Sequence, residues 1–596
     1  MPPPARGAGG SRPPEKHEGA ACLAEIPEEE APPMTITSEV REGPVPRYGR
    51  WERHFDRAGR VDRVEFGGPD GAVTTRPVFL HQPGELVYDE HGYEAVEARG
   101  EPVTAVRYTP VQVGEHRYRA LAGGEVVEEG MFRCEESGHG GYVEVSARGP
   151  RYFALSDGEP YCAIGLNLCT PPGYPLPGGS EHFAVSGRSA TLGCKDYERW
   201  FRRLSEHGGN FTRLWLSSSY FEAQGEVAGQ VDPLAFARLD RVVDLARAYG
   251  IRLKVCLEHF RTLEPGTFFS KVLRHPEDGR SPASMDEWFE SAVWRDLWMR
   301  RVGAYLARYG DDPVIMAWEL WNEINCCATR DWSVQREWTR RTLPEIKRRS
   351  PRNLVVNSIG SFDDEAYQRW YDDFKMEEMD FQQVHRYLDQ GARMELCRHD
   401  PVAFSVDAIR RSRRPDRPVI LAETGGVNDV HTGPFRFYRY DDTGIIFQDT
   451  TFPAFFAGSA GTGQIWHWNE YVDFKNLWRM FRPFADMVAG VRLDEEGFEP
   501  VDLSTARVWF LALCGRRHCL ALVRSKADSW YAVLRDGQEP PPVRGQRIDL
   551  RPLAVRSGEV STYRPVPDGR GRPTLAEGVL RLPAFRHGML LKIRRA

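Results

Sequence analysis

Two glutamates that each follow an apolar run are the residues of this sequence best suited to chemistry. The run 313–318 leads to Asn322 and Glu323, and the run 418–422 leads directly to Glu423. Short apolar runs bounded by polar residues are typical of buried parallel strands, so we expect each carboxylate at the C-terminal tip of its own strand. Such a pair suits cleavage of a β-glycosidic bond with retention, in which one carboxyl protonates the leaving oxygen and the other attacks the anomeric carbon.

Residues at the tips of other apolar runs would complete such a site. We expect Arg213 to supply a cation to Glu423 and Tyr387 to donate a hydrogen bond to it, because the attacking carboxylate has to stay ionised. Asn322 would bind the sugar 2-hydroxyl, and Trp466 would stack under the sugar ring. The candidate substrate-binding residues are Arg213, His259, Asn322, His385, Tyr387, Trp466 and Trp468.

The elements that position these residues alternate between strand and amphipathic helix. This order predicts an α/β fold with a (β/α)8 TIM barrel at residues 148–490, whose active site lies at the C-terminal ends of the strands. An open doubly wound sheet would carry a Gly-rich phosphate loop after its first strand, and residues 169–173 do not match one. The predicted barrel strands are residues 161–168, 210–216, 253–257, 313–323, 354–357, 381–387, 418–423 and 463–468.

The segments on either side of the barrel have the pattern of all-β domains. Short runs such as 103–110 and 114–119 predict an N-terminal β-sandwich at residues 36–147. Runs at 509–513, 520–523, 530–534, 578–582 and 588–593 predict a C-terminal β-sandwich at residues 491–596. Residues 1–35 are rich in Pro, Gly, Ala and Glu, which predicts a disordered tail, and Met34 is a candidate for the true start.

Composition limits the classes of partner and the compartment. The net charge of −6 gives no electrostatic case for a nucleic acid or an anionic membrane as partner. The sequence has no apolar run long enough for a transmembrane helix and no apolar segment at its start that resembles a signal peptide. The 11 cysteines are scattered without paired spacing, which favours a reducing compartment. We therefore expect a cytoplasmic protein; its oligomeric state is not readable from the sequence.

The motif Trp321-Asn322-Glu323, with Glu423 closing the seventh strand, resembles the clan A glycoside hydrolases, and most closely the family 5 cellulases and mannanases. This resemblance implies Glu323 as acid/base and Glu423 as nucleophile, with no cofactor and no metal. The segment 107–118 is similar to the β-sandwich that precedes the barrel in some uncharacterised bacterial glycosidases. Family 5 polysaccharidases are mostly secreted, so a chain without an export signal favours an imported oligosaccharide or a glycoside as substrate.

Several alternatives stay open at this point. Glu319 and Glu258 are rival carboxylates, and Glu319 would alternatively be an ion-pair partner inside the barrel. His259 and His385 are the residues that a metal site would use, although no ligand set of fitting spacing accompanies them. A barrel that binds carbohydrate without turnover, or a transglycosylase with the same glutamates, would give the same motifs. The long loops after strands 3 and 7 would favour exo action if they wall off the cleft.

Overall fold

The computed structural model describes residues 43–55, 59–172, 192–218, 220–259, 273–431, 433–569 and 571–595. The predicted tail at residues 1–35 and residues 260–272 of the loop after the third barrel strand lie outside these ranges. Among the helices that are described, none combines the length and the apolar character needed to cross a bilayer.

A ring of parallel strands forms the centre of the molecule, and we number its strands 1 to 8 in chain order. Strands 1 to 5 form one parallel sheet, and strands 6 and 7 form a parallel pair. Backbone hydrogen bonds from Asp380 to Val355 and from Phe362 to His385 join the two groups. Strands 1 to 7 are Gly165–Asn167, Phe211–Trp215, Arg252–Cys256, Ile315–Glu319, Leu354–Val356, Gln382–His385 and Val419–Glu423.

The eighth position of the ring is irregular. Isolated parallel bridges pair Thr424 with Ile465 and Ala163 with Gly461, and they close the ring between strands 7 and 1. The sequence predicts a continuous strand at residues 463–468, but the structure has only isolated bridges there. A helical turn, Trp468–Asp473, begins at the last residue of the predicted strand. Trp468 thus lies on that turn and not on a strand.

Helices cover the outside of the ring because each carries one apolar face. Asp232 accepts a hydrogen bond from the N–H of Leu234 and so caps the 3-10 turn Pro233–Ala235, which leads into the helix Phe236–Tyr249. That helix ends at Gly250, which adopts φ 68°. A left-handed backbone at this position favours glycine, which has no Cβ to clash. The α-helices are Cys194–Glu206, Phe236–Tyr249, Met285–Glu290, Ala292–Tyr309, Trp332–Arg349, Gln368–Asp373, Glu395–His399, Pro401–Ser412, Ile445–Thr451, Pro453–Phe456 and Phe481–Val488.

The segment before the ring is rich in β-structure. A five-stranded and a three-stranded sheet share a core that includes Trp51, Phe66 and Tyr108. A hairpin just before the ring pairs the short strands Phe153–Leu155 and Pro160–Tyr161 antiparallel. The strands are Val45–Pro46, Trp51–Phe55, Arg63–Gly67, Val73–Pro77, Phe79–His81, Gly84–Tyr88, Glu94–Ala98, Val103–Tyr108, Gly114–Ala122, Glu125–Glu135, Val143–Val145, Phe153–Leu155 and Pro160–Tyr161.

The segment after the ring holds a five-stranded and a three-stranded antiparallel sheet over a second core. A disulfide joins Cys514 to Cys519, which lie opposite each other on neighbouring strands. That β-sandwich domains flank the barrel stays a prediction. The strands are Glu499–Asp502, Val508–Cys514, His518–Ser525, Arg547–Asp549, Gly558–Tyr563, Thr574–Ala576, Val579–Arg581 and Gly588–Arg595.

One predicted strand in this last segment is wrong. Residues 530–534 belong to a helical turn, Trp530–Arg535, whose start is capped by the side chain of Ser529. The apolar residues there have the composition of a strand, but Trp530 and Leu534 are buried on one side of the turn. Packing of the large Trp530 side chain therefore outweighs the local β preference.

Candidate active site

The two glutamates meet at the mouth of the ring. Glu423 is the last residue of strand 7, and Glu323 lies in the turn that follows strand 4. A carboxylate oxygen of one lies within 4.8 Å of a carboxylate oxygen of the other. The separation matches the roughly 5 Å between carboxyl groups in retaining glycosidases and is shorter than the roughly 6.5–9.5 Å of inverting ones.

The carboxylate of Glu423 is held by two donors. Nη1 of Arg213 donates to its Oε1, and the Tyr387 hydroxyl donates to its Oε2 at 2.5 Å. Both predicted contacts are present. Burial raises the pKa of Glu423, and Arg213 and Tyr387 oppose that shift. We therefore assign the negative charge of the pair to Glu423, because Arg213 pairs with it and, among the described residues, no guanidinium or ammonium group pairs with Glu323.

Glu323 is the member of the pair that holds a proton near neutral pH. Burial, and then the charge of Glu423, raise its pKa to about 8. Its backbone is left-handed at φ 51°, and its N–H donates to the Ser358 hydroxyl at 3.0 Å. This turn brings the side chain back over the ring, where Nδ1 of His385 lies 2.7 Å from its Oε1.

A chain of alternating charges, here called the charge ladder, runs from the interior of the ring to the site. It consists of Lys254, Glu319, Arg213 and Glu423. Nζ of Lys254 lies 3.7 Å from Oε2 of Glu319. Glu319 accepts two hydrogen bonds from Arg213, at 2.7 Å from Nε and 2.8 Å from Nη2. Glu319 is therefore the internal ion-pair partner that the sequence left as one of its two readings, and not a third carboxylate in the cleft.

Arg213 also fixes the predicted sugar-binding amide. Its Nη2 donates to Oδ1 of Asn322 at 2.6 Å. Because the amide oxygen is engaged, the amide nitrogen is the group left to donate to a ligand. The other rival carboxylate, Glu258, is 1% exposed and lies 3.8 Å from Arg301.

His385 lies between the two glutamates and is fully buried. Its Nδ1 is 3.5 Å from Oε2 of Glu423, and burial lowers the pKa of the imidazole well below its ordinary value. Ligand atoms of Glu323, His385 and Glu423 lie within 4.8 Å of one another, a spacing that a metal ion would also accept. The guanidinium of Arg213 already pairs with Glu423, so the chemistry of this donor set is a poor fit for a divalent cation.

Aromatic rings form the opposite side of the site. Trp466 is half-buried and lies 4.8 Å from the ring of Trp215, while Trp215 stacks on His259 at 4.6 Å. Trp468 is only 3% exposed and meets Trp466 edge to face at 5.5 Å. Trp466 is thus the indole of the predicted pair that reaches the surface, and Trp468 supports it from behind.

Three residues near the site were missed by sequence reasoning. Trp215 lies two residues beyond Arg213 on the same strand, so a period-two reading would have placed both on one face. Lys254 and Gln383 come from strands 3 and 6 and meet inside the ring, where Gln383 accepts from Lys254 at 2.5 Å and donates to Glu319 at 2.8 Å. No local pattern in the sequence predicts the contact between Lys254 and Gln383.

Most of the aromatic residues after strand 7 pack against other parts of the protein and anchor the loop. Phe435 is 2% exposed and lies 5.3 Å from Trp530 of the C-terminal segment. Tyr438 is buried and stacks on Tyr471 at 3.9 Å. Phe437 is half-buried near Trp530, and Tyr440 is 53% exposed. These contacts give no support to the idea that this loop walls off the cleft.

A family model matches the central part of the chain. The sequence model described as "Cellulase (glycosyl hydrolase family 5)" matches residues 176–439, a segment that includes both glutamates of the pair. In solved structures, a protein from Bacteroides vulgatus ATCC 8482 with a provisional glycoside hydrolase assignment aligns over 93% of this chain and 100% of its own. The TM-score is 0.56 at 14% identity, so this likeness concerns the fold alone.

Curated relatives include plant enzymes. "Mannan endo-1,4-beta-mannosidase 2" of Oryza sativa subsp. japonica is 26% identical over 413 residues, 60% of this chain and 86% of that protein. "Mannan endo-1,4-beta-mannosidase 4" of the same plant is 30% identical over 174 residues, 27% of this chain. The chain spans little more than a third of the length of some of these relatives, 37% of mannosidase 4 and 36% of mannosidase 3.

Proposed function

We propose that this chain, whose barrel is a glycoside hydrolase domain of the family 5 type, hydrolyses β-linked oligosaccharides or glycosides with retention at the anomeric carbon. The observation that carries the proposal is the carboxylate spacing of 4.8 Å or less between Glu323 and Glu423. A gap of this size leaves no space for the water molecule that an inverting mechanism places between carboxylate and sugar.

The first step transfers the sugar to the enzyme. An oxygen of Glu423 attacks the anomeric carbon, the bond to the leaving oxygen breaks, and the proton of Glu323 passes to that oxygen. The products are a glycosyl ester on Glu423, an ionised Glu323 and a free alcohol. Arg213 and Tyr387 keep Glu423 ionised and oriented before the attack. The Asn322 amide is placed to hold the 2-hydroxyl of the sugar.

The second step returns both glutamates to their starting states. Once Glu423 is an ester, its negative charge no longer raises the pKa of Glu323. Glu323 is then a competent carboxylate base: it takes a proton from a water molecule, whose oxygen attacks the anomeric carbon and releases Glu423. The same residue thereby serves as acid and then as base because its partner loses and regains a charge.

The names of the relatives direct the choice of substrate. Several are mannan endo-1,4-beta-mannosidases, so β-1,4-linked manno-oligosaccharides are the first candidates, with β-glucosides and β-mannosides as aryl derivatives beside them. Trp466, half-buried against Trp215, offers a face for the sugar ring that precedes the cleaved bond.

The test is a screen of these substrates with the anomer of the first-formed product followed by NMR. Wild-type protein is expected to release a β-anomer, and Glu423→Ala is expected to lose hydrolysis. Glu323→Ala is expected to lose about 10²–10⁴-fold on oligosaccharides and much less on an aryl glycoside whose leaving group needs no acid.

Azide separates the two roles and serves as the control. In Glu423→Ala it occupies the space of the missing carboxylate and should give an α-glycosyl azide. In Glu323→Ala it attacks the glycosyl ester and should give a β-glycosyl azide. An α-anomer as the first product of the wild type would exclude Glu423 as nucleophile.

A further inference from the structure

Four polar residues form a second cluster at the mouth of the ring, here called the rim cluster. They are Ser361, Asp363, Asp389 and His431. Nδ1 of His431 lies 2.8 Å from Oδ2 of Asp389, and its Nε2 lies 3.1 Å from the Ser361 hydroxyl. The ligand atoms of Asp363, Asp389 and His431 all lie within 4.8 Å of one another. Three chain segments, which follow strands 5, 6 and 7, bring the cluster together.

The rim cluster lies beside the acid of the proposed pair. The His431 ring meets the Tyr387 ring edge to face at 5.4 Å, and Tyr387 in turn holds Glu423. The charges of His431 and Asp363 both act on Glu323. Asp389 is buried, whereas Ser361, Asp363 and His431 keep part of their surface open to solvent. The cluster therefore combines one buried acceptor with three side chains that solvent, and so a ligand, can reach.

The order Ser361, His431, Asp389 is that of a hydrolytic triad, but the surroundings oppose that chemistry. Burial lowers the pKa of His431, yet the hydrogen bond to Asp389 and the charges of Glu323, Asp389 and Asp363 outweigh it and raise the pKa above its ordinary value. A protonated imidazole donates from both nitrogens and cannot accept the serine proton. The cluster is instead a set of adjacent donors and acceptors.

The carboxylate of Asp363 is an acceptor without an assigned partner. Within the described part of the chain it makes no hydrogen bond to another residue, although it is partly buried. The Ser361 hydroxyl accepts from the protonated His431 ring, so its own proton is left to donate to a ligand. Neighbouring sugar hydroxyls offer donors and acceptors at the same close spacing, so a sugar is a better match than an ion or an apolar group.

We propose that the rim cluster binds the leaving-group sugar of a β-linked oligosaccharide. This inference rests on the proposed function, because the oxygen that Glu323 protonates belongs to the leaving group and that group must therefore lie next to Glu323. Trp215 ends strand 2 and Trp466 lies at the eighth position of the ring, whereas the rim cluster follows strands 5 to 7. The aromatic face of Trp466 and Trp215 is therefore left for the sugar that Glu423 attacks.

The experiment compares two substrates that share the attacked sugar and differ in the leaving group. One is a β-1,4-linked oligosaccharide, and the other is a nitrophenyl glycoside, which has no sugar for the rim cluster to bind. Asp363→Asn and His431→Asn are expected to lower kcat/KM on the oligosaccharide by about 10- to 100-fold. That factor corresponds to the free energy of one hydrogen bond to a charged group. On the nitrophenyl glycoside, which lacks the sugar that the cluster would bind, both variants should lose about tenfold less than they lose on the oligosaccharide. The contact of His431 with Tyr387 accounts for any loss that the two substrates share. His91→Asn, on an exposed side chain of the N-terminal segment, is the matched control.

Any other result would overturn either this inference or the proposed function. Equal losses on both substrates, or no loss on either, would overturn the inference while the proposed function stands. A wild type that cleaves neither substrate would overturn the proposed function and the inference with it. Loss of activity in a chelator, restored by a divalent cation and abolished in Asp363→Asn, would reassign the cluster to a metal. Circular dichroism of both variants checks folding.

Discussion

At the scale of single residues, the neighbours of Glu323 and Glu423 decide which of the two carries the proton and which carries the negative charge. Glu423 is the top of the charge ladder, and Arg213 lies directly beneath it. Glu323 has the buried, neutral His385 and the charge of Glu423 as neighbours, so it keeps its proton to a pKa of about 8. Two residues of the same type therefore differ in charge because of what surrounds them.

The raised pKa of Glu323 predicts both activity and stability as pH changes. Because the acid must be protonated, kcat/KM on an oligosaccharide should fall as pH rises through about 8. A folded pKa above the ordinary carboxyl value contributes stability that is complete at acid pH and lost as pH rises toward that same value. Glu323→Gln should therefore unfold at a higher temperature than the wild type at pH 9 and at an equal temperature at pH 4. Thermal denaturation at the two pH values measures this, and a wild type that is the more stable at pH 9 would contradict it.

Glu319 is predicted to act through Arg213 as a positioning residue. Glu319→Gln should lower kcat by about 10²-fold, because Arg213 loses the carboxylate that fixes its orientation toward Glu423. The charge of Glu319 also raises the pKa of Glu423, so the acid limb of the pH profile should move to lower pH. A general loss of packing would not move that limb. Glu337→Gln, on a side chain 49% exposed and paired with Arg340, is the control.

At the scale of elements, the ring strands were predictable and the connecting turns were not. Apolar runs such as those ending at Glu319 and Glu423 predict their strands because both faces of a parallel strand are buried. The turns at Trp468 and Trp530 contain the same residue types, and only tertiary packing makes them helical. The contacts of Glu423 with Arg213 and Tyr387 were predictable from strand tips. The meeting of Lys254 with Gln383 was not, since it depends on how the ring closes.

Trp530 is predicted to hold the loop after strand 7 in place. Its ring lies 5.3 Å from Phe435 and 5.9 Å from Phe437, and its Nε1 donates to the His399 carbonyl at 3.0 Å. Trp530→Ala should destabilise the protein by about 3–5 kcal/mol, because it removes a large, fully buried side chain. Proteolysis within residues 427–440 should also become faster. Tyr531→Ala, on a neighbouring side chain 39% exposed, should do neither; similar losses in both variants would contradict the assignment.

At the scale of the whole molecule, buried ion pairs join the N-terminal sheets to the helices of the ring. Arg107 donates to Glu52 of its own segment at 2.8 Å and to Asp240 of the helix Phe236–Tyr249 at 2.7 Å. Arg308 binds the same Asp240 at 3.1 Å and His81 at 2.6 Å. Burial alone would raise the pKa of Asp240, but the guanidinium groups of Arg107 and Arg308 hold it below its usual range.

Arg107 is therefore predicted to be the residue that couples the two parts. Arg107→Ala removes the guanidinium that Glu52 and Asp240 share and leaves them with Arg50 at 3.5 Å and Arg308 at 3.1 Å. It should cost about 3 kcal/mol of unfolding free energy, the lower end of the range for a broken buried pair. Arg119→Ala, which breaks a pair whose arginine is 55% exposed, should cost less than about 1 kcal/mol. Denaturant titration of both variants measures the difference. If Arg107→Ala costs as little unfolding free energy as Arg119→Ala, then apolar contacts alone hold the N-terminal sheets to the ring.

The charge ladder has two positive and two negative members, and the side chains of Lys254, Glu319 and Arg213 have no exposed surface. Dissolved ions weaken electrostatic attraction only where they can approach, and the screening length in physiological saline is about 8 Å of open solvent. Sodium and chloride cannot enter this column, and a neutral sugar gives them nothing to compete for. Turnover should accordingly change little between dilute buffer and brine, which would set this protein apart from enzymes that draw charged substrates to an open cleft.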